Sequence, residues 1–320
     1  MTTFGDMIFQ MGGVPVWPQI PFGRISKAFF VDPVNGSDSY NGRTRSRPVK
    51  TLSKAHDLCT ANNNDVVFLM ANGLTSGTAR LDEQLTWSKD ATHLIGIAAP
   101  NHVAQRARIS ATSGVSNIAT MVQISGDNCF WSGIHIFQNF SSDAANIALE
   151  LTGERCAFHN CHIAGGGNAT GADNAGMRSL KITGGAGLGE HYFKNCVIGL
   201  DTVSRGSAAS AEIELDGGSP RNRFEDCWIT AYTDGASHRL LTIGTGGIDR
   251  WLHFKRCVFW GDTIGGGTQM TELLDVPADV GGTVLLDNCS TYNGASVEGT
   301  NHGRVFISQE TDTVADALAV

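Results

Sequence analysis

The sequence has few charged residues and no excess of basic ones. Asp, Glu, Lys and Arg make up 17% of its 320 residues, and 31 acidic against 23 basic residues give a net charge of −8. A general nucleic-acid-binding protein needs a basic face that displaces counterions, so the composition argues against that class. The 41% of hydrophobic residues can form a packed core, and the 39 glycines predict many turns between short strands.

Long apolar runs are also missing. No run of about 18 apolar residues occurs, which disfavours a membrane-spanning helix. The first residues, "MTTFGDMIFQMGG", contain neither the basic segment nor the apolar run of a signal peptide. We therefore expect no membrane partner and no export by the general secretory route.

Paired Cys-x-x-Cys motifs are absent, although the chain has 8 cysteines. This absence disfavours a cysteine-based metal site, and we predict no metal and no other cofactor. Five cysteines instead return behind similar phrases: "AFHNCHI", "YFKNCVI", "RFEDCWI", "HFKRCVF" and "LLDNCST". These are Cys161, Cys196, Cys227, Cys257 and Cys289, with spacings of 35, 31, 30 and 32 residues. Because cysteine is a small buried hydrophobe, the spacing predicts an interior ladder of stacked free thiols.

A bend is predicted just before each of these cysteines. In "RFEDCWI" the apolar Phe224 and Ile229 are five residues apart, so one straight strand would place them on opposite faces. Asn, Asp and Gly adopt positive φ most easily, and they stand at this position in most repeats. The predicted bend residues are Gly133, Asn160, Asn195, Asp226 and Asn288. Arg256 occupies the same position and departs from the pattern.

The repeat predicts an all-β fold, a parallel β-helix with coils of about 30 residues and three sheets. A second phrase, a short strand usually followed by glycine, precedes each cysteine phrase, as in "SLKITG" and "EIELDG". Two phrases per period fit three-sheet coils better than the four antiparallel strands of a β-propeller blade. The propeller, whose period is about 40 residues, remains the main alternative.

The remaining segments predict a division into four parts. Residues 1–28 form an extended apolar, proline-rich arm, and residues 29–62 form a cap of strand, turn-rich loop and short helix that covers the end of the solenoid. Residues 63–308 form the β-helix, and residues 309–320 form a carboxy-terminal tail. The apolar residues of the arm need a surface to cover them, either their own β-helix or a partner. They are Ile8, Phe9, Val16, Trp17, Ile20 and Phe22.

At this point the chain resembles a known family. "VDPVNGSDSYNG", followed by "PVKTLSKAHDLC" and "DVVFLMANG", is similar to the amino-terminal signature of right-handed parallel β-helix proteins of the pectate-lyase-like superfamily. The resemblance spans roughly residues 29–308 and indicates fold far more than function, since the superfamily includes lyases, hydrolases, tailspikes and virion parts.

The compact chain, with its short leader "MTTFGDMIFQMGGVPV", is similar to β-helix proteins encoded among tailed-phage structural genes. The resemblance implies a non-enzymatic virion protein, most simply a capsid decoration or cement protein that forms a homotrimer. Its partner would be the major capsid protein, on the capsid exterior, after assembly in the host cytoplasm. The alternatives are a tailspike or tail-fibre β-helix that cleaves a host surface polysaccharide, and a module that binds a glycan without cleaving it.

We predict no catalytic residues. Polysaccharide-cleaving enzymes need paired carboxylates or a basic residue with acidic calcium ligands, whereas the acidic residues here are scattered. The scattered candidates are Asp201, Asp216, Asp226, Asp234, Asp262 and Asp287, with Arg205, Arg221 and Arg223. Turn formation explains Asp32, Asn35, Asp38 and Asn41 better than calcium does. His159, His162, His191 and His253 are expected at outward-facing or corner positions, and Trp228 could stack on a sugar.

Overall fold

The computed structural model describes residues 26–308 except 100, 113, 116–117, 142–143, 145, 186–187, 245, 264–266 and 299–302. It also describes the backbone of two short antiparallel strands, Gln10–Met11 and Val14–Pro15. The described part is a right-handed parallel β-helix of about 7 turns, as the repeat predicted. Each coil visits three parallel sheets in turn, here named sheets 1, 2 and 3.

Sheet 1 has ten strands. In order they are Ala28–Val31, Asp65–Met70, Thr92–Ile97, Phe130–Ser132, Ala157–His159, Tyr192–Lys194, Asn222–Glu225, Trp251–Lys255, Thr283–Asp287 and Val305–Ser308. Sheet 2 has eight strands: Ala79–Leu81, Arg108–Ala111, His135–Phe137, His162–Ala164, Val197–Ser204, Trp228–Tyr232, Val258–Asp262 and Ser290–Tyr292. Sheet 3 has seven strands: Leu85–Trp87, Thr120–Ile124, Ile147–Leu151, Arg178–Thr183, Ala211–Asp216, Arg239–Ile243 and Leu274–Asp275.

Two short α-helices accompany the sheets. Helix α1 spans Leu52–Leu58. Thr51 caps its amino terminus, because the hydroxyl of Thr51 accepts a hydrogen bond from the amide of Lys54. Leu52 and Ala55 of this helix are buried against the first coil, so α1 covers the amino-terminal end of the core. Helix α2, Ala169–Ala172, lies in a connection between sheets 2 and 3, and a 3₁₀ turn spans Thr75–Gly77.

A sharp corner joins sheet 1 to sheet 2 in successive coils. The predicted bend residues all have positive φ: Gly133 67°, Asn160 53°, Asn195 51°, Asp226 55° and Asn288 53°. Arg256 also has positive φ, 51°, although its side chain does not favour this conformation. Each corner amide donates to a carbonyl of the following coil, as from Asn160 to Lys194 at 3.0 Å. The backbone pairing of the stacked coils therefore holds the corner even where the residue is unfavourable.

Behind the corner, the five predicted ladder cysteines point into the core as free thiols. Four are buried and Cys289 is half-buried. The thiol of Cys196 donates to the carbonyl of Phe158 in the preceding coil at 3.4 Å, and burial raises the pKa of this thiol well above its usual value. A column of stacked phenylalanines runs beside the ladder, with ring centroids 4.8 Å apart for Phe158 and Phe193 and 4.5 Å apart for Phe193 and Phe224.

Candidate functional site

Most of the predicted docking arm falls outside the described residues. Its six apolar residues, Ile8, Phe9, Val16, Trp17, Ile20 and Phe22, all lie there, as does the tail 309–320. Their assignment as a partner-binding surface therefore stays a prediction.

The outer face of sheet 3 carries a polar row with one residue per coil. Gln123, Glu150, Lys181 and Glu214 are direct neighbours in this row. Glu150 accepts hydrogen bonds from Gln123 at 3.2 Å and from the hydroxyl of Thr183 at 3.0 Å. A cation separates the two glutamates of the row, so the row does not present an open pair of carboxylates.

Glu214 is held by two cations. Lys181 Nζ lies 2.9 Å from its Oε1, and Arg178 Nε donates to its Oε2. Burial pushes the pKa of Glu214 upward, but Arg178 and Lys181 outweigh burial and hold the pKa below its usual value. A general acid needs a raised pKa, so this carboxylate is unsuited to that role.

The scattered acidic and basic candidates lie at several places, and two of them, Asp201 and Asp262, line one cleft on sheet 2. Asp226 forms an ion pair with Arg256 at the exposed corner, where Arg256 Nε lies 2.7 Å from Oδ1. Arg221 pairs with Glu190, and Asp216 lies 3.8 Å from Lys181 on sheet 3. These contacts leave Asp226, Arg221 and Asp216 in local ion pairs.

A buried polar cluster lies where sheets 2 and 3 meet. Glu212 Oε1 lies 2.6 Å from Arg205 Nε and 3.3 Å from His238 Nε2, and all three side chains are fully buried. Ser210 Oγ lies 2.8 Å from His238 Nδ1. The order serine, histidine, glutamate is that of a catalytic triad, but complete burial denies a substrate access. The cluster therefore ties adjacent coils together.

The turn-rich loop after Val31 uses its carboxylates within the loop. Asp38 Oδ1 accepts hydrogen bonds from the amides of Lys50 at 2.8 Å and Thr51 at 3.0 Å. Asp32 Oδ1 accepts from the amides of Val34 and Asn35. Within the part of the chain that the structure describes, no group of three or more His, Cys, Asp or Glu side chains could hold a metal ion.

The candidate site is a cleft of about 670 Å³ on the outer face of sheet 2, here called the aromatic cleft. Its floor comes from successive strands of the sheet and includes Gly199 and Thr230. One wall is the loop 101–107, in which the amide of Ala104 donates to His162 Nδ1 at 3.1 Å, two coils further on. A bulge after Leu200 also lines the cleft and carries the exposed Asp201 and Thr202.

Aromatic side chains stand at one end of the cleft. Trp228 and Trp260 line it, with ring centroids 6.1 Å apart, and Tyr292 continues the row at 5.2 Å from Trp260. Trp228 is 37% exposed and Tyr292 is 46% exposed. These residues recur every 32 positions, a spacing that sequence reasoning could have noticed beyond Trp228.

Two stacked histidines form the other end of the floor. The rings of His135 and His162 are parallel, with centroids 4.4 Å apart. Arg108 Nε donates to His135 Nδ1 at 3.0 Å. Burial, then the neighbouring His162 and Arg108, lower the pKa of His135 well below its usual value, so the ring is neutral.

Some of the histidines predicted at outward-facing or corner positions are not exposed to solvent. His162 faces out of its coil but is 4% exposed, because the loop 101–107 covers it, and His191 is 1% exposed. Sequence periodicity predicts whether a side chain points into or out of its coil, whereas the paths of the loops decide whether solvent reaches it.

None of the helices in the described part of the chain has the length and apolar character that a membrane span requires.

Comparison with known proteins supports the fold. No protein-family model matches the sequence, and no curated protein matches it. Pectin methylesterase PemA from Erwinia chrysanthemi is similar in structure, with a TM-score of 0.57, 14% identity and coverage of 92% of both chains. Pectate lyase Pel9A has a TM-score of 0.52 and 13% identity over 85% of this chain and 71% of its own. ORF18 of Geobacillus virus E2 has a TM-score of 0.51 and 11% identity over 88% of this chain and 60% of its own.

These similarities support the parallel β-helix fold. The fold is shared with pectin-acting enzymes and with one viral protein. At such low identity it carries no activity from one chain to another.

Proposed function

We propose that the protein is a non-enzymatic structural component of a tailed-phage virion, a capsid decoration or cement protein. Residues 1–28 dock it onto the major capsid protein of the outer shell. Docking buries the apolar side chains of the arm and stabilises the assembled shell, since any ligand stabilises the state it binds. We further propose that it acts as a homotrimer and assembles in the host cytoplasm.

The observation that carries this proposal is the closed amino-terminal end of the β-helix. Leu52 and Ala55 of α1 already cover the first coil, so capping of the core does not require the arm. We infer that the segment with Trp17, Ile20 and Phe22 contacts a partner instead. The free thiols of the described cysteines support assembly in a reducing compartment.

The alternative is a tailspike or tail-fibre protein that cleaves a host polysaccharide. The geometry of the polar row supports cleavage poorly, because Glu214 is paired with Lys181 and Arg178. The alternative predicts release of reducing ends or unsaturated products from a panel of polysaccharides. It also predicts loss of that release in Asp201→Ala or Asp226→Ala.

Co-sedimentation with undecorated shells of the phage that carries this gene tests the decoration role. The full chain should bind saturably, and a Trp17→Ser, Phe22→Ser double variant should lose most of the binding. Trp228→Ser is the matched control, because it removes an exposed tryptophan from the β-helix instead. Absence of binding by the unchanged chain would overturn the proposal, and loss of binding by the control would move the docking surface to sheet 2.

A further inference from the structure

The aromatic cleft combines two features that fit one kind of ligand. Its aromatic end exposes large apolar rings, since Trp228 is 37% exposed and Tyr292 is 46% exposed. Trp260 lies directly opposite Thr230 on the neighbouring strand and opposite Tyr292 on the next. The rings therefore form a row that runs from coil to coil along the solenoid axis.

The floor supplies buried polar atoms that lack partners. Thr230 is 4% exposed and His135 is 3% exposed. Their Oγ1 and Nε2 atoms have no hydrogen-bond partner among the described residues. Buried polar atoms are nearly always paired, because an unpaired one loses its hydrogen bonds to water without replacing them. A ligand that hydrogen-bonds to these atoms would remove that cost.

The hydrogen bond from Arg108 determines which ring nitrogen of His135 is a hydrogen-bond donor. A guanidinium only donates, so His135 Nδ1 accepts from Arg108 Nε. The neutral ring then carries its proton on Nε2, which makes this atom a donor. His162 differs, because its Nδ1 accepts from Ala104 and its Nε2 lies 2.9 Å from the carbonyl of Gly199. The residues of the cleft floor thus carry one unpaired N–H donor and one unpaired hydroxyl.

We propose that the aromatic cleft binds an uncharged oligosaccharide without cleaving it. A sugar ring has apolar C–H faces that pack on the electron-rich faces of Trp228 and Trp260, and hydroxyl groups that can reach His135 and Thr230. A lipid would leave the polar floor unsatisfied.

The charge of the lining decides between neutral and anionic glycans. Asp201 and Asp262 both line the cleft, with Asp262 on the strand of Trp260 and Asp201 on the strand beside that of Trp228. Arg108, the cation at the other end, is directed to His135 and packs over the ring of Phe137, 5.5 Å from its centroid. An anionic sugar over the tryptophans would face carboxylates. This inference is independent of the docking arm, so it can hold whether or not the decoration role does.

Isothermal titration calorimetry with the full chain tests the proposal. The probes are maltohexaose, cellohexaose, mannohexaose and chitohexaose, with polygalacturonate as the anionic comparison. At least one neutral hexasaccharide should bind, and Trp260→Ala should weaken that binding by about tenfold or more. Thr230→Val should weaken it less, because it removes one hydrogen bond and keeps the shape of the side chain.

Trp251→Ala is the matched control, since Trp251 lies on sheet 1 and contacts His253 rather than the cleft. It should leave the affinity unchanged, and circular dichroism should show that every variant is folded. No neutral probe binding at millimolar concentration, or binding that Trp260→Ala leaves unchanged, would overturn the proposal. So would binding of polygalacturonate alone, or a sedimentation result in which Trp260→Ala abolishes self-association while no sugar binds.

Discussion

Arg205 and Glu212 form an ion pair inside the protein. Arg205 Nε lies 2.6 Å from Glu212 Oε1, and neither side chain has exposed surface. Burial pushes the pKa of Glu212 upward, but Arg205 and His238 outweigh it and lower the pKa. The pair joins the end of a sheet 2 strand to the beginning of a sheet 3 strand.

Breaking this pair should be strongly destabilising. Arg205→Met leaves the carboxylate of Glu212 buried without its main partner, which should cost about 3–5 kcal/mol in the free energy of unfolding. Urea unfolding followed by circular dichroism measures the loss. The Arg205→Met, Glu212→Met double variant should lose less than the two single losses added together, because no unpaired charge remains. Strict additivity would contradict the coupling.

Two substitutions at the corner between sheets 1 and 2 should change Tm in opposite directions. Arg256→Asn should raise Tm by about 1–3 °C, because Asn tolerates positive φ and the exposed ion pairs lost with Arg256 contribute little. Asn195→Arg places the less tolerant residue in an equivalent corner and should lower Tm by a similar amount. Differential scanning calorimetry of both variants checks this. A fall in Tm for Arg256→Asn would show that its contacts with Asp226 and Glu225 matter more than its backbone conformation.

The ladder predicts the reactivity of the thiols. In the native protein, Ellman's reagent should react slowly with Cys289 at most, because it is half-buried whereas the other cysteines are buried. After unfolding in guanidinium without a reductant, all 8 cysteines should react. Fewer than that number would indicate disulfides and would contradict the ladder of free thiols.

Acid should destabilise the protein through its buried histidines. Burial lowers the pKa of His93 to about 4 and that of His191 to about 3, whereas a histidine in the unfolded chain titrates near 6.5. Below about pH 6.5 the unfolded state gains protons that the native state does not. The contribution of the two neutral histidines to stability is therefore complete above about pH 6.5. As the pH falls below that value, the free energy of unfolding decreases by about 1.4 kcal/mol per pH unit for each histidine.

Urea unfolding at pH 7, 6 and 5 measures this dependence before most carboxylates titrate. The His93→Gln variant should show a flatter decline, because it removes one of the titrating groups while glutamine can still accept from the amide of Phe130, as His93 Nδ1 does at 3.1 Å. An unfolding free energy that is the same at pH 7 and pH 5 would contradict the prediction.

The fold could be predicted from particular residues. The apolar phase change between Phe224 and Ile229 required a bend, and the positions of Asn160 and Asn195 located it in the neighbouring coils. The positive φ of Arg256 shows the limit of this reasoning, since pairing with neighbouring coils overrides the preference of a single residue.

The site was less accessible to sequence reasoning. Trp228 could be named as a sugar-stacking residue, but Trp260 and Tyr292 were missed, although they repeat its spacing. His135 gave no signal, because its unpaired donor depends on a contact with Arg108 from another coil. The role of the arm 1–28 stays a prediction from composition.

The sequence by itself determined the solenoid, because a repeat of about 30 residues places equivalent apolar side chains in every coil, where they can pack only on their own copies. Tertiary structure alone decided where polar groups are buried and where aromatic rings remain exposed. Those outcomes depend on the bulge after Leu200 and on the loop 101–107, which contacts His162 two coils further on. The paths of such irregular segments follow from contacts distant in sequence, and no periodicity encodes them.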